Sequence, residues 1–114
     1  QLLHRDIKPH NLYIHDGQLI LNDWGSSCIV SHWKSTPWEG TLGYSEPKGS
    51  TSSPQVADCR AALRTAWVLL YKDEPPIASF GDESAESKSQ RIETFWSSRL
   101  QDGSTFWKVV NYIE

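Results

Sequence analysis

His4-Arg5-Asp6-Ile7-Lys8-Pro9-His10-Asn11 and, twelve residues after Asn11, Asp23-Trp24-Gly25 are the two runs around which this chain is organised. Between them, Leu12-Tyr13-Ile14-His15 and Gln18-Leu19-Ile20-Leu21 are β-prone segments joined by Asp16-Gly17, a pair that favours a type I′ turn and a tight hairpin. In that register, residues whose numbers sum to 33 face one another. Asn11 then lies opposite Asn22 and diagonal to Asp23, so the two runs meet at the open end of the hairpin.

Working outward, residues 26 to 52 hold Gly, Pro, Ser, Thr and Trp without a sustained period, which predicts an extended loop with local order. Ser53-Pro54 is a helix cap followed by Pro in the first turn. Cys59, Ala62, Leu63, Ala66, Trp67 and Leu70 then recur at helical spacing, and Asp73-Glu74-Pro75-Pro76 stops the helix. Residues 79 to 90 are polar and predict a surface loop without chemistry. Ile92, Phe95, Trp96 and Leu100 define a second amphipathic helix over 91–100. Phe106, Trp107, Val110 and Ile113 suggest a third.

The 114 residues suit one domain, and 38% hydrophobic residues with six Trp, four Tyr and three Phe can form a modest core. A formal net charge of -3 with interspersed signs gives no electrostatic footprint for nucleic acid or an anionic membrane. The longest apolar run, Ala66 to Tyr71, is too short to cross a bilayer, so no membrane segment is expected. Cys28 and Cys59 lack metal or disulfide-framework spacing. They read as small buried or half-buried thiols in an intracellular protein, cytoplasmic or nuclear. With no Met, and with apolar Tyr112 and Ile113 just before Glu114, both ends read as cuts through a longer protein.

The chemistry these residue types suit is phosphoryl transfer, which needs an oriented hydroxyl, cations over phosphate oxygens and a defined Mg²⁺ geometry. Asp6 can accept a hydroxyl proton, Lys8 can neutralise the moving phosphoryl group, and Asn11 with Asp23 can offer the oxygen ligands Mg²⁺ prefers. Pro9 biases Lys8 toward extended backbone. His4 reads as a packed, hydrogen-bonded histidine, and Trp24 as a core residue.

His4 to Asn11, then Asn22-Asp23-Trp24-Gly25, then Gly40-Thr41-Leu42-Gly43-Tyr44-Ser45-Glu46-Pro47 resembles, in order and spacing, the catalytic lobe of eukaryotic protein kinases. The match runs from His4 to about Pro76, and its most specific part is HRDxKPxN, with six identities in eight positions. The resemblance implies an α+β fold: a mainly helical C-terminal lobe around a short catalytic β-hairpin, without the N-terminal lobe. Residues 1–114 would then be a partial kinase domain, with a catalytic loop at 4–11, a magnesium-binding motif at 23–25, an activation and substrate loop at 26–48, and lower-lobe helices over 53–114.

Residue by residue, the resemblance makes Asp6 the catalytic base, Lys8 the phosphate-contacting lysine of serine/threonine-directed kinases, and Asn11 and Asp23 the magnesium ligands. Arg5 would pair with a phosphate on the activation segment, for which Ser31, Ser35 and Thr36 are candidates. Thr41 would hydrogen-bond toward Asp6 and Lys8, Gly25 would give backbone freedom after the metal ligand, and Asp58 would anchor the catalytic loop. The implied cofactors are ATP and Mg²⁺, and the implied partner is a protein substrate. A pseudokinase-like binding module is the alternative, and a small-molecule phosphotransferase a third reading.

Departures from the family pattern carry expectations too. Glu46-Pro47-Lys48 stands where the family has its APE triplet, which predicts loss of a buried ion pair. Leu63 and Arg64 replace a glycine and an apolar residue, which predicts altered packing. The glycine-rich phosphate loop and strand lysine of the family are not found in these residues, so the 114-residue chain alone is expected to bind ATP weakly and transfer phosphate negligibly.

Overall fold

Asp16 and Gly17 both adopt left-handed backbone, with φ of 51° and 75°, as a type I′ turn requires. In the computed structural model, which describes residues 1–37, 40–46 and 53–100, they join strands that pair Leu12 with Leu21, Tyr13 with Ile20, Ile14 with Leu19 and His15 with Gln18. That is the register the turn predicts. Asn22 extends it by donating its amide to the Asn11 carbonyl at 2.7 Å.

We number the strands β1 (Leu2–Leu3), β2 (Leu12–His15), β3 (Gln18–Leu21) and β4 (Cys28–Ile29), and the helices α1 (Pro54–Tyr71) and α2 (Ala85–Leu100). The described residues form a small α+β fold of two helices and two two-stranded antiparallel sheets. One sheet is the β2/β3 hairpin. The other pairs β1 with β4, Leu2 facing Ile29 and Leu3 facing Cys28, inside the segment predicted to be a loop. A single 3₁₀ turn, Pro9–Asn11, leads into β2, and a longer one, Val30–Ser35, follows β4. The β1/β4 ladder brackets residues 4–27, so both sequence motifs emerge from one closed unit.

The α1 helix begins where the cap predicts. The Ser53 hydroxyl accepts from the Val56 amide at 3.4 Å and Pro54 fills the first turn. It ends at Lys72, whose left-handed backbone (φ 53°) lets its amide reach the Val68 carbonyl at 2.8 Å. The buried face differs from the predicted one. Ala61, Arg64, Thr65 and Val68 face inward, while Cys59 and Ala62 are exposed and Leu63, Ala66, Trp67 and Leu70 are half-buried. Polar residues take this face because their polar groups are satisfied: the Thr65 hydroxyl donates to the Ala61 carbonyl at 2.8 Å, and Arg64 reaches the Tyr44 carbonyl and Glu93.

The α2 helix starts earlier than its apolar period predicts. The Ser84 hydroxyl accepts from the Ser87 amide at 3.1 Å, and the first turns are polar because they face solvent. Its Ile92 and Trp96 pack with Tyr44 and Val68 into the core, flanked by half-buried Trp67, Phe95 and Leu100. The third predicted helix lies outside the described residues. Trp24 is not a core residue: it is 47% exposed, with its ring meeting the His4 imidazole edge to face at 4.6 Å.

Between the helices, the polar stretch is tied down. Arg91 donates to both Glu83 carboxylate oxygens (2.8 and 2.7 Å) and to the Pro76 and Ala78 carbonyls, and its guanidinium lies 4.1 Å from the centre of the Phe80 ring. The hydrogen bonds from Arg91 hold the Glu83 carboxyl down to about 2 from its ordinary 4.5. A carboxyl lowered in the fold contributes stability that is fully present above 4.5 and lost as pH falls toward 2. Urea midpoints should therefore show Glu83→Gln below wild type near neutral pH and the gap closing as pH falls from about 4.5 to about 2. A gap independent of pH would contradict this role.

Gly43 sits on the turn that this stretch packs against, with φ 100°, and a Cβ there would lie 2.8 Å from Ile77 Cγ2 and 3.1 Å from Pro75 Cγ. Gly43→Ala therefore combines backbone strain with a steric clash and should lower stability by about 2 to 4 kcal/mol in chemical denaturation. A loss below about 0.5 kcal/mol would show that the loop relocates freely.

Candidate active site

At the start of α1, the Asp58 carboxylate accepts two consecutive amides, His4 N at 2.8 Å and Arg5 N at 2.9 Å. These two bonds hold the segment that leads out of β1. Arg5 is in left-handed backbone (φ 73°), a conformation that a non-glycine residue keeps only when its surroundings impose it. The reversal lets the His4 ring fold under the loop, where it is 2% exposed. His4 Nδ1 accepts from the Asp6 amide at 3.1 Å, and Nε2 meets the Asn22 carbonyl at 2.9 Å. A carbonyl can only accept, so the proton sits on Nε2, and the ring bridges the two motifs as a structural residue.

The loop next presents Asp6, 9% exposed, to three neighbours. The Thr41 hydroxyl donates to Asp6 Oδ1, Asn11 Nδ2 approaches Oδ2 at 3.4 Å, and Lys8 Nζ lies 3.7 Å from Oδ2. Lys8 Nζ also donates to Thr41 Oγ1 at 3.0 Å. One hydroxyl therefore gives its proton to a carboxylate while accepting from an ammonium. Lys8 has extended backbone (φ -158°, ψ 164°), as expected before Pro9, and this sends its side chain toward residues 40–46.

Asn11 closes the 3₁₀ turn and is buried. Its Nδ2 donates to the Asp6 carbonyl at 2.8 Å as well as to the Asp6 carboxylate, which leaves its Oδ1 as the acceptor the amide can offer a ligand. Asp23 follows Asn22 just beyond β3, is exposed and has left-handed backbone (φ 58°). The Asp23 carboxylate accepts weakly from the Gly25 amide at 3.4 Å. Backbone reversal in the second motif thus falls on Asp23, and Gly25 keeps ordinary φ. The oxygens of Asn11 and Asp23 are the hard donors that suit Mg²⁺. Among the described residues no group of three or more His, Cys, Asp or Glu could hold a metal alone. Such a donor pair would suit a magnesium whose remaining ligands are water and other oxygens, its usual mode.

Arg5 projects the other way. Its Nη2 donates to the Pro37 carbonyl, and Nη1 is buried without a hydrogen-bond partner among the described residues. Thr36 is adjacent to Pro37 in the chain, and its hydroxyl donates to the His32 carbonyl at 2.8 Å. Ser31 is exposed on the 3₁₀ turn that also contains Ser35.

Residues 40–46 form a closed turn, in which the Tyr44 and Ser45 amides both donate to the Thr41 carbonyl (3.2 and 3.0 Å) and the Thr41 amide donates to Ser45 Oγ at 2.9 Å. Glu46 pairs with Arg60 of α1 at 2.9 Å. The Arg60 side chain is half exposed, and Lys48, on which the expected loss of a buried ion pair falls, lies outside the described residues. Two residues that hold this turn from below, Arg64 and Trp96, are legible in the sequence only as an arginine at a helix-interior position and as a core aromatic.

Asp6, Lys8, Asn11 and Thr41 are thus brought into one hydrogen-bonded cluster, Asp23 is placed at the open end of the hairpin, and Arg5 is turned to a separate side. Comparison with protein-family models, curated proteins and solved structures finds no match to this chain. No helix among the described residues is long and apolar enough to cross a membrane.

Proposed function

We propose that the chain is the catalytic lobe of a divergent protein serine/threonine kinase, with a fold of the kinase C-terminal-lobe type. The observation that carries this reading is the Thr41 hydroxyl held between Asp6 and Lys8. It supports the view that an incoming serine or threonine hydroxyl finds a proton acceptor and a cation on opposite sides. In the reaction, the acceptor oxygen forms the new P–O bond and Asp6 takes its proton. The bond to the β-phosphate oxygen breaks, its electron pair leaving with ADP. Lys8 balances charge on the transferring group, and Asn11 Oδ1 with the Asp23 carboxylate would hold magnesium, which supplies electrostatic stabilisation at the phosphates. ATP as the phosphate source also implies an intracellular setting.

Arg5, with an unpartnered Nη1 among the described residues, is proposed to receive a phosphate from the segment ending near Pro37. A test of the metal assignment uses Mn²⁺ with ATP as a paramagnetic probe of the full-length protein. Resonances of Asn11 and Asp23 should broaden first and those of β2/β3 turn residues Asp16 and Gly17 last. Uniform broadening, or none at saturating nucleotide, would remove both residues from the metal site.

A further inference from the structure

We infer that Arg64 and Trp96 are positioning residues that set the height of the acceptor turn 40–46 against Asp6 and Lys8. Trp96, 2% exposed, donates its indole N–H to the Gly43 carbonyl at 2.6 Å. Arg64, 5% exposed, donates from Nη1 to the next carbonyl, that of Tyr44, at 3.3 Å. Two consecutive carbonyls of one turn are therefore held from two different helices. The holders are coupled to each other, because the Arg64 guanidinium lies 5.6 Å from the centre of a Trp96 ring and Glu93, one turn before Trp96, pairs with Arg64 Nη2 at 3.4 Å.

The turn is braced by further contacts. Gly43 is seated against Pro75 and Ile77, and the Thr41 carbonyl accepts both the Tyr44 and Ser45 amides. A shift of the 43–44 backbone therefore moves Thr41, whose hydroxyl must stay within reach of Asp6 Oδ1 and Lys8 Nζ. Arg64 and Trp96 also line an open groove of about 440 Å³ together with Leu63 and Leu100. Reacting groups tolerate little displacement, since misplacement by about 1 Å costs on the order of 100-fold in rate.

Trp96→Phe keeps an aromatic ring against Phe95, which now packs edge to face at 4.8 Å, and removes the indole donor. Arg64→Met keeps the length and removes the donor to Tyr44. Amide spectra of the ¹⁵N-labelled chain should show displaced resonances at Thr41, Gly43, Tyr44 and Ser45 in both variants, with hairpin residues 12–21 unmoved. Ser97→Ala, an exposed neighbour on α2, should leave the turn unchanged.

The kinetic arm rests on the kinase reading: in the full-length protein each variant should raise KM for an acceptor peptide about tenfold and leave KM for ATP within about twofold. Unmoved turn resonances in both variants, or a lower unfolding midpoint as their only effect, would overturn the positioning role. If wild type transfers no phosphate, the kinase reading fails, and the spectra alone decide whether Arg64 and Trp96 hold the turn.

Discussion

Asp6→Asn should lower phosphate transfer by the full-length protein about 100- to 10,000-fold, the range over which a positioned general base acts. The replacement has nearly the same shape, so the carboxamide oxygen introduced there can still accept from the Thr41 hydroxyl. The capacity to take a proton is what disappears. Single-turnover rates with saturating ATP and an acceptor peptide isolate that step, and ATP affinity should remain within about twofold because Asp6 is not among the proposed magnesium ligands. Rates equal to wild type would remove Asp6 from catalysis and leave the cluster as a structural hydrogen-bond network.

Asp58→Ala should cost about 2 to 4 kcal/mol of stability, because two hydrogen bonds to a charged acceptor are lost together and the His4 and Arg5 amides are left unpaired. The strained backbone of Arg5 (φ 73°) would also lose its restraint. Asp58→Asn retains one acceptor oxygen and should fall between wild type and alanine. Denaturant midpoints measure the effect. A cost below about 1 kcal/mol for alanine would mean that water replaces the carboxylate without consequence.

Local chemistry explains why parts of this fold can be read from the sequence. Asp16-Gly17 dictates both turn type and register, so the pairing of Asn11 with Asn22 follows from two residues. Ser53-Pro54 marks the α1 start for the same reason. The proximity of Thr41 to Asp6 and Lys8 spans 33 to 35 positions and is not a local property. Only the kinase resemblance implies it, as it also implies the Asp58 anchor.

What escapes a reading of the sequence has physical causes as well. The β1/β4 ladder has two residues per strand, too few for any alternation to show, and its pairing is set by distant chain. The α1 face is offset because hydrophobicity alone ranks Leu63 and Trp67 above Arg64 and Thr65, while burial here follows hydrogen-bond satisfaction and close packing at Ala61. The first turns of α2 carry no apolar period because they bury nothing, although Ser84 caps them. Residue type alone assigns Trp24 to the core, yet its indole N–H is satisfied by the Leu21 carbonyl at 3.1 Å at the surface. The roles of Arg64 and Trp96 depend on backbone carbonyls, which no side-chain pattern displays.

The cluster built by Asp6, Lys8, Asn11 and Thr41 is proposed as a phosphoryl-transfer site for protein hydroxyls. Its most direct test incubates the full-length protein with Mg²⁺, ATP and peptides bearing serine, threonine or no hydroxyl, and reads the products by mass spectrometry. A single added phosphate on the serine and threonine peptides, abolished by chelating Mg²⁺, is the predicted result. Folded protein that binds ATP yet modifies none of the peptides would contradict it, leaving the chain as a nucleotide-binding interaction module.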